Sequence, residues 1–342
     1  LYEVVPLRGA DRLRPARLTA AEFRKMIEVG HLVEITEDQV RGGFICFKVL
    51  EFDNQGLPKR YRVIKHTKDA NDAIPRDALM GFRLPQKNDI RNFVHNGECF
   101  CDIDFSAWYD QFALAHGISE RFCTFIYDED GKKRYARLAR LAMGYRFACD
   151  VAQAATSKII EFAGAQTFLD GYIDNVISVG KRDDVIHDMG VLFSRCDFVG
   201  ATINDRASFD ADGIAAHVKT RGTWCGVGLD MTNKTTFLAD KTIAKAKLAW
   251  ARRSDWTVRD FCAFMGLLWY CVGIIHIPVA SYFPLLRYIS TLSSRIAMDP
   301  SLLLKPADIW SSAWPSLRLW YFTVLENTPF PVPPPGAPDD WK

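Results

Sequence analysis

The 342-residue sequence lacks a strong charge bias, a paired cysteine motif, a zinc-like histidine spacing and an internal repeat. Its 43 Lys and Arg residues against 41 Asp and Glu residues give a net charge of +2, which neither demands nor excludes a nucleic-acid partner. None of the nine scattered cysteines forms a CxxC pair, and none of the seven histidines has the spacing of zinc ligands. These absences argue against a disulfide scaffold or a zinc module, and they predict reduced, buried thiols in an intracellular protein of the cytoplasm or nucleus.

The sequence begins at Leu1 without a charged-then-apolar leader, and we expect it to be a piece of a longer chain. One uncharged run, residues 264–286, is 23 residues long and could span a bilayer by length. Pro278 and Pro284 interrupt it, so we expect a buried helix that breaks near Pro278, and no membrane partner. We expect His276, inside the run, to be a satisfied core residue rather than a metal ligand.

Hydrophobic residues make up 49% of the chain and aromatic residues 13%, which is enough for a large core over roughly two to three domains. From residue 100 to residue 204 the patterns predict a strand, a helix, a hairpin, a helix, a second hairpin, a helix and a strand. Without the first hairpin this order is the split βαβ pattern of an α+β fold. Helical patterns follow from residue 240, and the proline-rich stretch 329–338 is predicted to be a spacer outside the core.

Two predicted strands end in acid. A mostly apolar strand from Cys99 ends at Asp104, and the helical spacing of Trp108 and Phe112 predicts a helix directly after it. A second apolar strand leads to a hairpin tip at Asp174, 70 residues downstream. If folding brings these two carboxylates together they repel each other, and a hard divalent cation with oxygen ligands is the usual remedy.

A predicted hairpin over residues 43–64 has a basic returning strand. Its cations, with two that follow, are Lys59, Arg60, Arg62, Lys65 and Lys68. Such a hairpin suits triphosphate oxygens, although an ordinary charged hairpin has the same composition. Four arginines near the start (Arg8, Arg12, Arg14 and Arg17) leave a similar choice open, between a solvated surface and a template contact.

In their order, these motifs resemble those of retroelement reverse transcriptases, and among them the tyrosine-recombinase kind, the DIRS-like elements and the VIPER elements of trypanosomatids. The resemblance covers about residues 40–290. Residues 104–109 resemble the first motif, and this implies that Asp104 and the Phe105 carbonyl bind metal. It also implies that Tyr109 is the steric gate against a ribose 2′-hydroxyl.

Residues 143–153 resemble the second motif. By this resemblance Gly144 abuts the template–primer and Gln153 lies near the incoming nucleotide, while Cys149 stands where the family usually has proline. The Tyr172–Asn175 hairpin resembles the family's Tyr-x-Asp-Asp hairpin. This implies that Asp174 is the second metal ligand and that Tyr172 contacts the template–primer. Asn175 departs from the family, because it replaces the last Asp.

Three further segments complete the resemblance. Residues 62–71 resemble the fingers segment, which implies that Arg62 binds the triphosphate with Lys59 nearby. Residues 200–206 resemble the next motif, in which a basic residue, here Arg206, can protonate the departing pyrophosphate. Residues 224–230 lie where the primer-grip hairpin is expected, with Trp224 and Gly226 toward the template–primer.

The implied fold is an α+β right-hand polymerase with fingers, a palm with an antiparallel sheet, a thumb and a helical C-terminal connection. The implied boundaries are an N-terminal extension and fingers at 1–98, the palm at 99–221 with part of the fingers at 118–142, the primer grip and helical thumb at 222–290, and the connection with its proline-rich tail at 291–342.

The implied activity is that of an RNA-directed DNA polymerase that uses two Mg²⁺ or Mn²⁺ ions to add dNTPs to a primer 3′-hydroxyl. Its partners are an RNA template, a DNA primer and their RNA–DNA hybrid, and an RNase H domain is expected downstream. Two alternatives stay open. One is a catalytically decayed palm that binds nucleic acid or serves as a structural module. The other is an RNA polymerase of similar palm, against which Tyr109 and the Met143-Gly144 pair argue.

Overall fold

The computed structural model describes residues 9–53, 57–74, 83–85, 87–162, 164–275 and 277–332. The strands are β1 (Leu32–Ile35), β2 (Ile45–Phe52), β3 (Pro58–His66), β4 (Cys99–Asp104), β5 (Cys123–Tyr127), β6 (Lys133–Leu138), β7 (Phe168–Tyr172), β8 (Asn175–Gly180), β9 (Arg221–Trp224), β10 (Val227–Asp230), β11 (Thr235–Leu238) and β12 (Phe330–Pro331). The α-helices are α1 (Ala20–Glu28), α2 (Lys68–Ala73), α3 (Lys87–Asn96), α4 (His116–Ser119), α5 (Ala148–Ile160), α6 (Arg182–Val199), α7 (Arg206–His217), α8 (Asp240–Ala251), α9 (Val258–Ile275), α10 (Phe283–Met298) and α11 (Trp314–Glu326).

The sheet that carries the acidic residues has the strand order β4-β8-β7 and is antiparallel throughout. On one face Cys101 and Ile103 belong to a core shared with α5 and α6. On the other face Phe100 and Ile177 belong to a second core. Because alternate residues of a strand point to opposite faces, this sheet is covered on both sides, and Asp104 is the last residue of β4.

Most of the rest of the molecule is arranged around these two cores, and a small third cluster around Cys123 and Phe125 lies on the β1-β6-β5 sheet. The first core also holds α1, β2 and the β1-β6-β5 sheet, while the second holds the β12-β11-β10-β9 sheet and helices α8 to α11. The predicted α+β class with antiparallel sheets is therefore confirmed. The domain boundaries stay a prediction.

The helix predicted directly after Asp104 is wrong. Residues 108–111 form a single 3₁₀ turn, and Ala107 before it has a left-handed φ of 43°. Trp108 stacks on Phe105 with ring centroids 4.1 Å apart, and the Gln111 side chain donates to the Ser106 carbonyl at 2.6 Å. A continuous helix would need the Trp108 side chain on its apolar face and the Ser106 carbonyl for a backbone hydrogen bond. Here both are engaged in these other contacts. The predicted strand at residues 201–204 is likewise reduced to one bridge, between Phe105 and Ile203.

The C-terminal predictions are confirmed in part. Helix α9 ends at Ile275 before Pro278, and α10 follows, as expected. By length and composition alone α9 could cross a membrane, but its buried residues, among them Leu268, pack in the second core. The spacer prediction is wrong at its start, because Phe330–Pro331 pairs with β11. The His276 prediction, the Arg8 prediction and residues 333–342 of the tail lie outside the described residues.

The nine cysteines are all free thiols; six of them are buried, Cys149 and Cys225 are half-buried, and Cys262 is exposed, so the expectation of buried thiols holds only in part.

The pattern Thr19-Ala20-Ala21-Glu22 predicts a capping box at the start of α1. The structure confirms it, because the backbone amide of each of Thr19 and Glu22 donates to the side chain of the other. Glu22 has a second partner, because the Lys48 ammonium on β2 donates to its carboxylate at 2.6 Å. The Lys48 hydrogen bond, followed by that from the Thr19 amide, lowers the pKa of Glu22 to about 2.

We expect Glu22→Gln to lower the free energy of unfolding by about 0.5–1 kcal/mol at pH 7, the scale of an exposed ion pair. Since the folded-state pKa is depressed, the stabilisation by Glu22 is present above its ordinary pKa of 4.5 and is lost as the pH falls toward 2. Urea unfolding of both proteins at pH 7 and pH 2.5 measures this, with Glu28→Gln on the same helix as the control. A difference that stays constant with pH would contradict the assignment.

Candidate active site

Asp104 and Asp174 lie side by side at the end of the β4-β8-β7 sheet. Asp104 is the last residue of β4 and is paired in register with Asn175 on β8. The Phe105 amide donates to the Asp174 carbonyl at 2.7 Å, which fixes the two backbones against each other. Asp174 itself occupies the tight turn between β7 and β8. The structure therefore brings together the two carboxylates that the sequence placed 70 residues apart.

The turn that carries Asp174 has an unusual backbone. Ile173 has a φ of 59°, which is rare for a β-branched residue. Helix α5 supports this conformation, because the Gln153 side chain accepts from the Ile173 amide at 2.7 Å and donates to the Gly171 carbonyl at 2.9 Å. The Thr156 hydroxyl donates to the Ile173 carbonyl. Gln153 is thus buried beneath the hairpin, and its predicted contact with a nucleotide stays a prediction.

The site concentrates negative charge. Burial raises the pKa of Asp104, and the nearby carboxylates of Asp174 and Asp102 raise it further. The Asn204 amide opposes this by donating to Asp104 Oδ2 at 2.7 Å. The Asn175 amide donates to Asp174 Oδ1 at 3.1 Å. Each carboxylate therefore has one amide donor, which relieves only part of the repulsion between the pair.

This donor set suits a magnesium ion. Mg²⁺ is commonly held by one or two carboxylates, with waters and substrate phosphates completing the octahedron. Asp104 and Asp174 supply the carboxylates, and the Phe105 carbonyl is predicted to join them. In the described part of the chain no group of three or more His, Cys, Asp or Glu residues has metal-site geometry. The remaining ligands would therefore come from water and from substrate.

Tyr109 lies in the 3₁₀ turn next to the acidic residues. Its side chain is buried, and its hydroxyl is 3.4 Å from the Cys149 thiol in the first turn of α5. Burial, with this hydrogen bond, raises the pKa of the Tyr109 phenol. Trp108 fixes the same turn from below by donating to the Thr156 hydroxyl at 3.1 Å. The ring predicted to be the gate is therefore held by α5, the helix that also holds the acidic hairpin.

Arg62 of the basic hairpin contacts the loop that precedes α5. Its guanidinium lies 3.4 Å from the Met143 sulfur and 3.1 Å from Glu51. Lys59 is exposed further along β3. Hydrogen bonds join this loop to α2. The Asn71 side chain donates to the Gly144 carbonyl at 2.7 Å and accepts from the Arg146 amide at 2.8 Å. The structure thus brings Arg62 and Gly144 to the same loop.

The predicted primer-grip residues border a cavity of about 660 Å³. The cavity lies between the acidic hairpin, the β9–β10 turn and α9, and Tyr172, Asp174, Trp224 and Tyr270 are among its lining residues. Gly226 in this turn has a φ of 84°, and a Cβ there would come within 2.6 Å of the Tyr270 hydroxyl. The Tyr270 hydroxyl also donates to the Cys225 carbonyl at 3.3 Å. Helix α9 therefore packs directly against the β9–β10 turn.

Arg206 has contacts of its own away from the acid pair. Its guanidinium forms ion pairs with Asp197 at 3.3 Å and with Asp210, and it lies over the Phe193 ring. These contacts join α6 to α7. The proposed proton donation by Arg206 stays a prediction.

Sequence reasoning missed several residues that organise the site. Lys65 forms an ion pair with Asp110, the residue after the gate, and both side chains are largely buried. The amides of Asn71 and Asn204 bind the loop and the first carboxylate, as described above. The sequence shows Lys65 within a run of cations and Asp110 next to Tyr109. It has no local signal for an ion pair between two residues that are 45 positions apart.

We expect Gln153→Ala to loosen the acidic hairpin, because the Ile173 amide and the Gly171 carbonyl lose a buried partner. Leaving buried polar groups unpaired should lower the free energy of unfolding by about 1–3 kcal/mol. Hydrogen exchange should become faster in a peptide that covers residues 171–175. Lys158→Ala, an exposed change on the same helix, is the control. Unchanged exchange at the hairpin would show that Gln153 does not hold it.

No family model and no curated protein matches this chain. Solved structures do. A foamy viral protease-reverse transcriptase dRH in complex with double-stranded DNA matches with a TM-score of 0.65 and 14% identity, covering 94% of this chain and 51% of that chain. The foamy viral protease-reverse transcriptase in complex with double-stranded DNA matches with a TM-score of 0.63 and 13% identity, covering 95% of this chain and 61% of that chain. The same protein in complex with an RNA/DNA hybrid matches with a TM-score of 0.64 and 13% identity, covering 95% of this chain and 40% of that chain.

This chain therefore spans about half the length of the solved chains that it matches. At such low identity the similarity concerns the fold, and it covers nearly all of this chain. The chain has the fold of a reverse-transcriptase polymerase region.

Proposed function

We propose that this chain is an RNA-directed DNA polymerase that extends a primer 3′-hydroxyl with dNTPs on an RNA template. The observation that carries the proposal is the juxtaposition of Asp104 and Asp174 at the end of the β4-β8-β7 sheet, within a reverse-transcriptase fold. The solved neighbours bound to double-stranded DNA and to an RNA/DNA hybrid support nucleic acid as the partner. The motif order further supports a tyrosine-recombinase retroelement, DIRS-like or VIPER-like, with an RNase H domain downstream.

The chain's own residues have separate tasks in this reaction. Asp104 and Asp174, with the Phe105 carbonyl, would hold two Mg²⁺ ions. When bound, such ions activate the primer hydroxyl and stabilise charge on the triphosphate. Arg62 and Lys59 offer cationic donors to the triphosphate oxygens. Tyr109 is assigned the role of the steric gate against a ribose 2′-hydroxyl.

Asn175 is compatible with this activity. It retains a side-chain oxygen but carries no charge, so two carboxylates remain for the ions, which is within the number that Mg²⁺ accepts from a protein. The opposing observation is the 3.1 Å hydrogen bond from its amide to Asp174, which occupies one carboxylate oxygen. That contact favours the decayed palm as the second candidate, and the same assay separates the two.

Primer extension on an RNA template with Mg²⁺ or Mn²⁺ tests the proposal. We expect extension with dNTPs, and a loss of more than about 100-fold in Asp104→Asn, because one metal carboxylate is removed. Asp183→Asn, an exposed change on α6, is the matched control and should retain activity. Duplex binding without extension by the wild type with either metal would show a decayed palm.

A second test concerns sugar selection. Tyr109→Ala should raise the efficiency of rNTP relative to dNTP incorporation by at least about tenfold, because the clash with the 2′-hydroxyl is removed. Tyr109→Phe keeps the ring and loses only the hydroxyl contact with Cys149, so it should keep most of the selectivity. Single-nucleotide incorporation kinetics measure both ratios. A wild type that uses rNTPs and dNTPs equally would point to an RNA polymerase instead.

A further inference from the structure

A third carboxylate, that of Asp102, lies close to the candidate metal ligands. Asp102 comes two residues before Asp104 on β4, and alternate residues of a strand share a face, about 7 Å apart along the strand. Burial raises the pKa of Asp104 and that of the Cys225 thiol in the β9–β10 turn, and the charges of Asp174 and Asp102 add to both shifts. The charge of Asp102 therefore acts on the acid pair, although Asp102 is not one of the predicted ligands.

Lys219, in the segment between α7 and β9, opposes this third charge. Its ammonium lies 2.6 Å from Asp102 Oδ1 and 5.1 Å from the centroid of the Phe100 ring. The Asp102 side chain is 23% exposed and that of Lys219 is 41% exposed. Because both groups are partly shielded from solvent, salt and water screen their charges only in part.

The position of the Lys219 ammonium is fixed by the backbone and by packing. Lys219 and Phe100 exchange two backbone hydrogen bonds of 2.9 Å in an antiparallel bridge. The stem of Lys219 packs against Gly222 in β9, where a Cβ would come within 3.1 Å of both Lys219 Cδ and the Phe100 ring. These contacts hold the ammonium beside Asp102, and they join the strand of Asp104 to the segment that leads into the predicted primer grip.

The spacing between Asp102 and Asp104 is short enough for the ion pair to influence a bound cation. At about 7 Å, one unit charge changes the affinity for another at least about threefold even at the dielectric constant of water, and the effect grows in a partly buried site. Asp102 alone would strengthen cation binding. Lys219, one contact distance further from Asp104, offsets most of that attraction.

We propose that Asp102 and Lys219 are positioning residues that together set the affinity of the candidate active site for divalent cations, with Asp102 raising that affinity and Lys219 limiting it. The inference rests on the proposed function, because it takes Asp104 and Asp174 as the metal ligands. It adds two residues that act on the ions through their charge. An ion pair that only stabilises the fold is the competing account.

Binding of Mn²⁺ to the free protein tests the inference independently of catalysis. Electron paramagnetic resonance measures unbound Mn²⁺ at about pH 8, without nucleic acid or dNTPs. Lys219→Met should bind Mn²⁺ at least about threefold more tightly, because the charge of Asp102 is left unopposed. Asp102→Asn should bind at least about threefold more weakly, because an attractive charge is lost and Lys219 is left unopposed. The double variant should return close to the wild type, since its net charge is unchanged.

Three further variants separate charge from structure. Lys219→Arg keeps the positive charge and should keep the wild-type affinity. Glu34→Gln and Arg134→Met are the matched controls, because these two residues form a similar ion pair at 2.6 Å between β1 and β6, in another sheet. Each control removes one charge and should leave Mn²⁺ binding unchanged. Asp104→Asn identifies the site, since it should remove most of the Mn²⁺ binding.

The opposite signs of the two single variants are the decisive result, because a folding defect cannot tighten metal binding. Weaker binding in both Lys219→Met and Asp102→Asn would show that the pair only supports the fold, and would overturn the inference. Unchanged binding in both, or Mn²⁺ binding that Asp104→Asn leaves intact, would overturn it as well. If the opposite shifts occur in a protein that does not extend a primer, the inference holds and the proposed function alone fails.

Discussion

The repulsion between two carboxylates at the end of one sheet is the constraint on which the site depends. Asp104 and Asp174 are brought together by the backbone hydrogen bond from Phe105 to Asp174, which belongs to the ladder of β4 and β8. The ladder stabilises the sheet whether or not the side chains are charged. The fold can therefore keep two acids adjacent at a cost in electrostatic energy that its hydrogen bonds and its two apolar cores offset.

The neighbouring elements reduce that cost by neutral groups rather than by cations. Asn204 donates to Asp104, and Gln153 holds the hairpin backbone from below. Two neighbouring cations have other partners, because Lys65 is paired with Asp110 and Arg62 lies beside Met143. An amide donor relieves a carboxylate without competing as strongly for it as an ammonium would. The arrangement leaves the negative charge of the pair available to a divalent ion.

The parts of the fold and site that the sequence predicted are those with a local signal. The capping box at Thr19, the acidic hairpin and the break after Ile275 each depend on residues a few positions apart. The helix expected at Trp108 failed because its indole stacks on Phe105, three residues earlier, and donates to Thr156, which is 48 residues away and has no local signal. Strand β12 was missed because prolines suggest a spacer, whereas an edge strand accepts proline where its amide is not needed. The role of Gln153 follows from a contact between α5 and the hairpin, and helical periodicity cannot show which residue reaches across.

Asn175 is best understood from its place in the ladder. Since Phe105 and Asp174 form a hydrogen-bonded pair, their neighbours Asp104 and Asn175 form a non-hydrogen-bonded pair, the kind whose side chains lie closest across an antiparallel ladder. A carboxylate at position 175 would face Asp104 directly, and like charges in that position destabilise a sheet. Asparagine removes the nearest repulsion while Asp174 keeps its charge at the tip. The substitution thus lowers the cost of the unliganded site and gives up the carboxylate that lies directly opposite Asp104.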